Sequence, residues 1–134
     1  MIENTASYLL LKAMKFGRSS VSPVLAEHDL HPGQDLMLAA LWREDGISQS
    51  ELVARLGVEA PTVSKALRRL ERVGYVRREP GPARGRLVYL TEAGHALRRP
   101  VEQAWRNADR RLARRLGAAD TAELRRILSR LMQN

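Results

Sequence analysis

The sequence predicts a mainly α chain carrying one short β-hairpin. Three observations lead there. Hydrophobic residues make up 44% of the 134 residues while aromatics make up only 4%, so the core must be aliphatic, which suits packed helices. Apolar residues recur at helical spacing over most of the length. The exception is the stretch around Glu79-Pro80-Gly81-Pro82-Ala83-Arg84-Gly85, turn chemistry that no helix survives, with extended runs on either side. The length suits one domain, and neither repeats nor low-complexity linkers interrupt it.

In chain order, residues 4–27 read as helix. Ala6, Leu9, Leu10 and Ala13 form a stripe, with Lys12 and Lys15 off it and weak points at Gly17 and Ser22-Pro23. A second helix is expected from Pro32 at its first position. Leu36, Ala39, Ala40 and Trp42 face inward, His31 is a polar cap, and Asp45-Gly46 forms the end. Ile47 then reads as a hydrophobic staple or short strand. Ser48 with Glu51 is a capping box, in which each side chain takes up an orphan backbone N–H at the helix start. Leu52, Val53 and Leu56 supply the apolar face of that helix, and Gly57 ends it.

The next helix begins near Ala60-Pro61, with Pro61 suited to its first position. Val63, Leu67, Leu70 and Val73 fall on one stripe, leaving Thr62, Ser64, Lys65, Arg68, Arg69 and Arg72 outside, and Gly74 closes it. Tyr75-Val76-Arg77-Arg78 and Arg86–Leu90 are the two strands of the hairpin. Thr91 is an N-cap for a long helix that Pro100 should kink. That helix resumes to about Leu116 and stops at Gly117. Asp120 with Glu123 reads as a second capping box, and Leu124, Ile127, Leu128 and Leu131 stripe the last helix.

A short helix, a glycine turn, a second helix with a cationic outer face and a basic hairpin are what a winged helix-turn-helix needs to enter a DNA major groove. The formal net charge of +8 and sequence pI of about 10.9 favour a polyanionic partner. Nearly all the cations are arginine, which pairs bidentately with phosphate and guanine. Short polar groups beside the arginines, Thr62, Ser64 and Lys65, favour base-edge readout over phosphate binding alone. The alternative is a winged helix that binds RNA or a protein partner without operator specificity.

No cysteine is present, which excludes thiolate catalysis and cysteine-based redox sensing. His28, His31 and His95 are too scattered for a metal site, and no nucleophile elbow or phosphate loop occurs, so neither cofactor nor enzyme activity is expected. No segment suits a membrane span. MIENTASYLL lacks a basic region ahead of its apolar run, so no export signal is expected and the cytoplasm is the expected location.

Across essentially its whole length the chain resembles the multiple-antibiotic-resistance regulator (MarR) family. The resemblance is carried by Pro32-Gly33-Gln34, Ser50-Glu51-Leu52, Thr62-Val63-Ser64, Leu70-Glu71 with Gly74, and Leu90-Thr91 with Gly94. It implies a homodimeric winged-helix regulator, usually a repressor released by a small molecule or oxidant. Residues 1–30 and 92–134 would be dimerisation helices and 32–91 the winged helix-turn-helix. Two departures stand out. Pro82-Ala83-Arg84 replaces the usual Asp-Arg-Arg of the wing, and Arg68 stands where an acid is common.

These observations yield three sets of candidate residues. Contacts to an inverted-repeat DNA operator are assigned to Ser48, Gln49, Pro61, Thr62, Ser64, Lys65, Arg68, Arg69 and Arg72, with Arg84 and Arg86 on the wing; the bland alternative is a solvated basic face. Dimerisation is assigned to Leu9, Leu10, Ala13, Leu124, Ile127, Leu128 and Leu131, stripes that one small domain would struggle to cover. Family effectors lodge between the dimerisation helices and the winged domain, which by placement implicates Tyr8, Lys12, Trp42 and Trp105. Core packing serves equally well for the tryptophans.

Overall fold

A computed structural model describes residues 1–82 and 85–133. Two compact units emerge, one from residues 1–23 with 103–134 and one from residues 24–102. Residues 24–30 and 92–102 thus pack with the winged helix.

Within residues 24–102 the elements are the end of α2 (Ser22–Glu27), α3 (Gln34–Arg43), β1 (Ile47–Ser48), α4 (Gln49–Leu56), α5 (Ala60–Arg72), β2 (Val76–Pro80), β3 (Arg86–Leu90), α6 (Glu92–Ala96) and the start of α7 (Arg98–Leu116). Ile47 resolves as a strand: β1 pairs antiparallel with β3, and β3 with β2, giving the order β1-β3-β2. The hairpin register sets Val76 opposite Leu90 and Pro80 opposite Arg86. Strand β2 therefore runs two residues further into the Pro-Gly segment than expected. The core is aliphatic, built on Leu25, Leu38, Leu41, Leu52, Leu67 and Leu70.

Most caps form as the sequence indicates. Ser48 Oγ accepts from Glu51 N (3.1 Å), and Thr91 Oγ1 accepts from Gly94 N (3.1 Å). The reciprocal half of the expected capping box does not form: Glu51 turns its carboxylate forward to Arg55 Nε (3.0 Å) and not back to Ser48 N, and Arg55 also reaches Glu44. Gly57 takes the left-handed conformation expected of it (φ 62°). At the end of α5, Tyr75 N donates to Leu70 O and Gly74 N to Glu71 O, with Gly74 at φ 89°. This is a Schellman motif, whose left-handed residue glycine adopts without Cβ strain.

Four expectations are corrected. Helix α3 starts at Gln34 with Gly33 as its cap, so Pro32 lies before the helix. His31 receives a cap and does not supply one: its backbone N donates to Gln34 Oε1 (2.8 Å), as Gly33 N does to Asp35 Oδ1 (3.1 Å). The buried face of α3 is Gln34, Asp35, Met37, Leu38 and Leu41; of the four residues expected to face inward, Leu36 and Ala39 are exposed and Ala40 and Trp42 are half-buried. Pro61 occupies the second position of α5, behind Ala60.

The helix after Thr91 is interrupted at Leu97, where α6 ends and α7 begins. Pro100 lacks the N–H that would bond back to Ala96, so the expected break falls three residues before it.

The other unit contains a 3-10 turn (Ile2–Asn4), α1 (Ala6–Ser19), the remainder of α7 and α8 (Ala118–Leu131). Gly117, at φ 84°, is the N-cap of α8 and provides no side-chain cap. This overturns the second capping box: Asp120 lies inside the first turn of α8, and Glu123 pairs with Arg126 (2.5 Å). The guanidinium groups of Arg111 and Arg115 both lie over Phe16, at 4.1 and 4.9 Å from its ring centre.

Candidate nucleic-acid interface

Helix α5 is divided between two faces. Val63, Leu67 and Leu70 have no solvent exposure, and each such side chain contributes roughly 1.5–3 kcal/mol by burial. That anchors the helix axially and leaves Thr62, Lys65, Arg68 and Arg72 exposed, with Ser64 half-buried. Arg68 Nη1 donates to Ser64 Oγ one turn back (2.9 Å), which pre-orients two candidate base readers together. Arg69 differs from its neighbours. It is half-buried, and its Nη2 donates to Asp29 O (3.1 Å), which ties α5 to the turn before α3.

An arginine outside the candidate set joins the elements of this face. Arg78 on β2 donates to Glu71 Oε1 of α5 (3.1 Å) and to Gln49 Oε1 at the start of α4 (3.4 Å). Its side chain is only 14% exposed. The Arg78 guanidinium holds the Glu71 carboxyl below the usual carboxylate range, against the opposing effect of burial. With its oxygen turned to Arg78, Gln49 presents its amide N–H groups away from it. Strand alternation gave a signal for this residue, since Arg78 shares the face of the buried Val76.

Tyr75 is a second joint. Its hydroxyl donates to His28 O (2.7 Å), and its carbonyl accepts from Thr91 N (3.0 Å). Burial raises its pKa, with Asp29 adding to the shift. Gly94 packs so closely here that a Cβ would fall 2.1 Å from Tyr75 O.

On the wing, Gly81 N donates to Gly85 O (2.9 Å), and Arg86 is exposed at the start of β3. Arg84 lies outside the described residues. Arg77 stacks over Tyr89 (4.6 Å) and pairs with Glu79 (3.4 Å). Ser48 is the N-cap of α4, with its oxygen engaged in capping, and Pro61 lies in the first turn of α5.

Residues 28–87 match the family model described as "MarR family". Over 126 residues the chain is 32% identical to the HTH-type transcriptional repressor Rv2887 of Mycobacterium tuberculosis, covering 92% of this chain and 91% of that protein. The chain belongs to the MarR family. A second relative, the HTH-type transcriptional regulator TtmR of Methylorubrum extorquens, is 39% identical over 88 residues; the match spans 64% of this chain but only 45% of TtmR. The solved structure of Rv2887 in complex with DNA superposes with a TM-score of 0.77 at 29% identity, covering 96% of this chain and 98% of that one. The structure of Rv2887 with p-aminosalicylic acid gives 0.75 at 31% identity, covering 96% and 99%. The mainly helical chain with its small antiparallel sheet is thus the winged-helix fold of MarR regulators.

The remaining candidates divide between the units. Leu9, Leu10, Ala13, Ile127 and Leu131 are exposed, and Leu124 and Leu128 are half-buried. An open apolar groove of about 720 Å³ brings Leu10, Ala13, Leu124 and Leu128 together and adds Leu11, Met14, Phe16 and Leu112, which the stripes did not include. Tyr8, half-buried, and Lys12, exposed, lie one turn apart on α1. The ring of Trp105 has Arg18 over it at 5.3 Å. Trp42 belongs to the winged unit, where its indole N–H donates to Gly94 O (3.0 Å). Among the described residues no group of three or more His, Cys, Asp or Glu could hold a metal, and no helix is long and apolar enough to cross a membrane.

Proposed function

We propose that this chain is a homodimeric regulator that reads an inverted-repeat operator in duplex DNA and acts as a repressor relieved by a small-molecule effector. One observation carries the DNA-reading part. The buried stripe of α5 fixes the helix so that Thr62, Lys65, Arg68 and Arg72 face solvent together beside Ser64. Ser64, Lys65 and Arg68 read base edges, and Thr62 anchors phosphate at the helix start. Gln49, with its amide donors directed away from Arg78, joins Ser48 and Pro61 in contacting the backbone. Arg84 and Arg86 extend the contact to the flanking minor groove. Arg69, held on Asp29 O, braces the helix. The name of Rv2887 as a repressor and its complex with DNA support the same reading.

The helical unit supports the dimer. Of the buried apolar residues only Val21 and Ala104 belong to it, among the described residues. Leu9, Leu11, Met14 and Leu131 are each more than half exposed. A second copy laid on this face covers them and sets two α5 helices on one palindrome. For the effector, the complex of Rv2887 with p-aminosalicylic acid supports an aromatic acid. Tyr8, Lys12, Trp42 and Trp105 remain its candidate contacts.

Selection of bound sequences from a randomised duplex pool tests the proposal. Enrichment of a short inverted repeat is expected, and its loss on combined Ser64→Ala, Lys65→Ala and Arg68→Ala replacement. A pool without enrichment, or a triple variant with unchanged preference, overturns the assignment of α5 as reader.

A further inference from the structure

The excess positive charge of this chain does not accompany its reading helix. Residues 24–102, which hold α4, α5 and the wing, contain twelve Lys and Arg against eleven Asp and Glu, a net of +1. Residues 1–23 with 103–134 contain eleven against four, a net of +7. A protein that met its polyanion only through α5 and the wing would have no electrostatic use for that distribution.

Part of this charge lines an open groove of about 410 Å³ between α7 and α8. Arg106, Arg110 and Arg125 border it, Asp109 is the one acid, and the apolar lining is alanine. Arg114 continues the row of Arg106 and Arg110 a further turn along α7 and is exposed. Arg110 donates to Asn107 (3.2 Å), and Arg125 to Asp109 (2.8 Å). Among the described residues Arg110 and Arg114 have no carboxylate within ion-pair distance. Like charges four residues apart on a helix repel, so an anion laid along the row relieves the repulsion.

We propose that the α7–α8 groove is a second nucleic-acid surface, which holds the phosphodiester backbone of duplex DNA through Arg106, Arg110, Arg114 and Arg125 without reading its sequence. Successive arginines of the row lie about 6 Å apart along the helix axis, comparable to the through-space separation of neighbouring phosphates on one DNA strand. Guanidinium groups make bidentate contacts to phosphate oxygens, and such contacts position without specifying bases. An anionic membrane is the poorer fit, because surface-seated helices insert large apolar side chains beside their cations and this groove has only alanine.

The test is a salt titration of binding to a random-sequence duplex, read by fluorescence anisotropy, for wild type and for Arg106→Gln/Arg110→Gln/Arg114→Gln. Losing three phosphate contacts flattens the slope of log affinity against log salt by up to about 2.7 units, a change of about 40-fold in the salt response between 50 and 200 mM. Preference for a selected operator over random duplex stays as in wild type. The same titration in the Ser64→Ala/Lys65→Ala/Arg68→Ala background keeps this result separate from failure of α5 as reader. Asp109→Asn, which releases Arg125, steepens the slope by up to about 0.9, and it decides the matter if the triple variant does not fold. An unchanged slope in a triple variant with native circular dichroism overturns the proposal. So does an Asp109→Asn slope equal to wild type. Loss of binding to phosphatidylglycerol vesicles with duplex binding intact overturns it in favour of a membrane.

Discussion

Replacing Arg78 separates what its side chain does by packing from what its charge does. The side chain is 14% exposed, and on about 0.8 kcal/mol per buried methylene its stem contributes about 2 kcal/mol. Its ion pair reaches a Glu71 side chain that is 39% exposed, so solvent screening limits the pair to about 1 kcal/mol. Against this, Arg78 Nε is buried without a partner, and removing it returns about 1 kcal/mol. Arg78→Met keeps the stem and removes both polar terms, so it should cost less than about 1 kcal/mol. Arg78→Ala also loses the stem and should cost about 2–3 kcal/mol. Urea unfolding at neutral pH, with unchanged m-values, measures both. Both variants also release Gln49, so DNA affinity should fall by about fivefold in each despite their different stabilities, as for one lost hydrogen bond. Equal destabilisation by Met and Ala would refute the packing account. Wild-type DNA affinity in both would refute the role given to Gln49.

Gly94→Ala should destabilise by about 2–4 kcal/mol, because its Cβ must displace the Tyr75 carbonyl; a wild-type urea midpoint would show that α6 slides aside without cost. Leu128→Asp should weaken self-association and operator affinity together, and sedimentation showing an unaltered dimer would count against the apolar groove as its seat. Combined Arg84→Ala and Arg86→Ala should flatten the salt dependence of operator binding by up to about two units while sparing half-site preference; an unaltered slope would remove the wing from the interface. The Glu71 carboxyl has a lowered folded pKa, so its stabilisation is full above the usual carboxylate range and is lost as pH falls through the folded value. Glu71→Gln should therefore flatten the acid limb of melting temperature against pH, and a limb as steep as wild type would contradict the pairing with Arg78.

Helix ends were legible where one residue type satisfies one backbone need, as with Ser48, Gly57, Gly74 and Thr91. The outer face of α5 was legible because Val63, Leu67 and Leu70 leave no choice of orientation. The face of α3 was misread because hydrophobicity favoured Leu36 and passed over Gln34 and Asp35. Those two polar residues are buried because their side chains accept backbone N–H groups at their own helix start, a use that apolar periodicity does not register. The Asp120–Glu123 pattern misled for a related reason: α8 starts three residues earlier, on Gly117. Arg78 and Tyr75 escaped notice because their partners lie on separate elements, which no local spacing displays. The division of charge is written in the sequence, but it becomes visible only once the chain is divided at residues 23/24 and 102/103.

The strand order β1-β3-β2 bears on how the chain is made. The middle strand is the last of the three to be synthesised, and it pairs Ile47 with Val88 across about forty residues of chain. Until β3 emerges, β1 has no neighbour and β2 exposes its ladder groups, whereas α4 already has caps at both ends and α5 its C-terminal Schellman motif. Closing so long a loop carries its entropy cost ahead of its contacts, which slows folding relative to local helix formation. A nascent chain ending at Pro80 would hold two formed helices with an unpaired strand edge, the kind of intermediate that associates with its neighbours. The final strand both sets the wing and closes that edge.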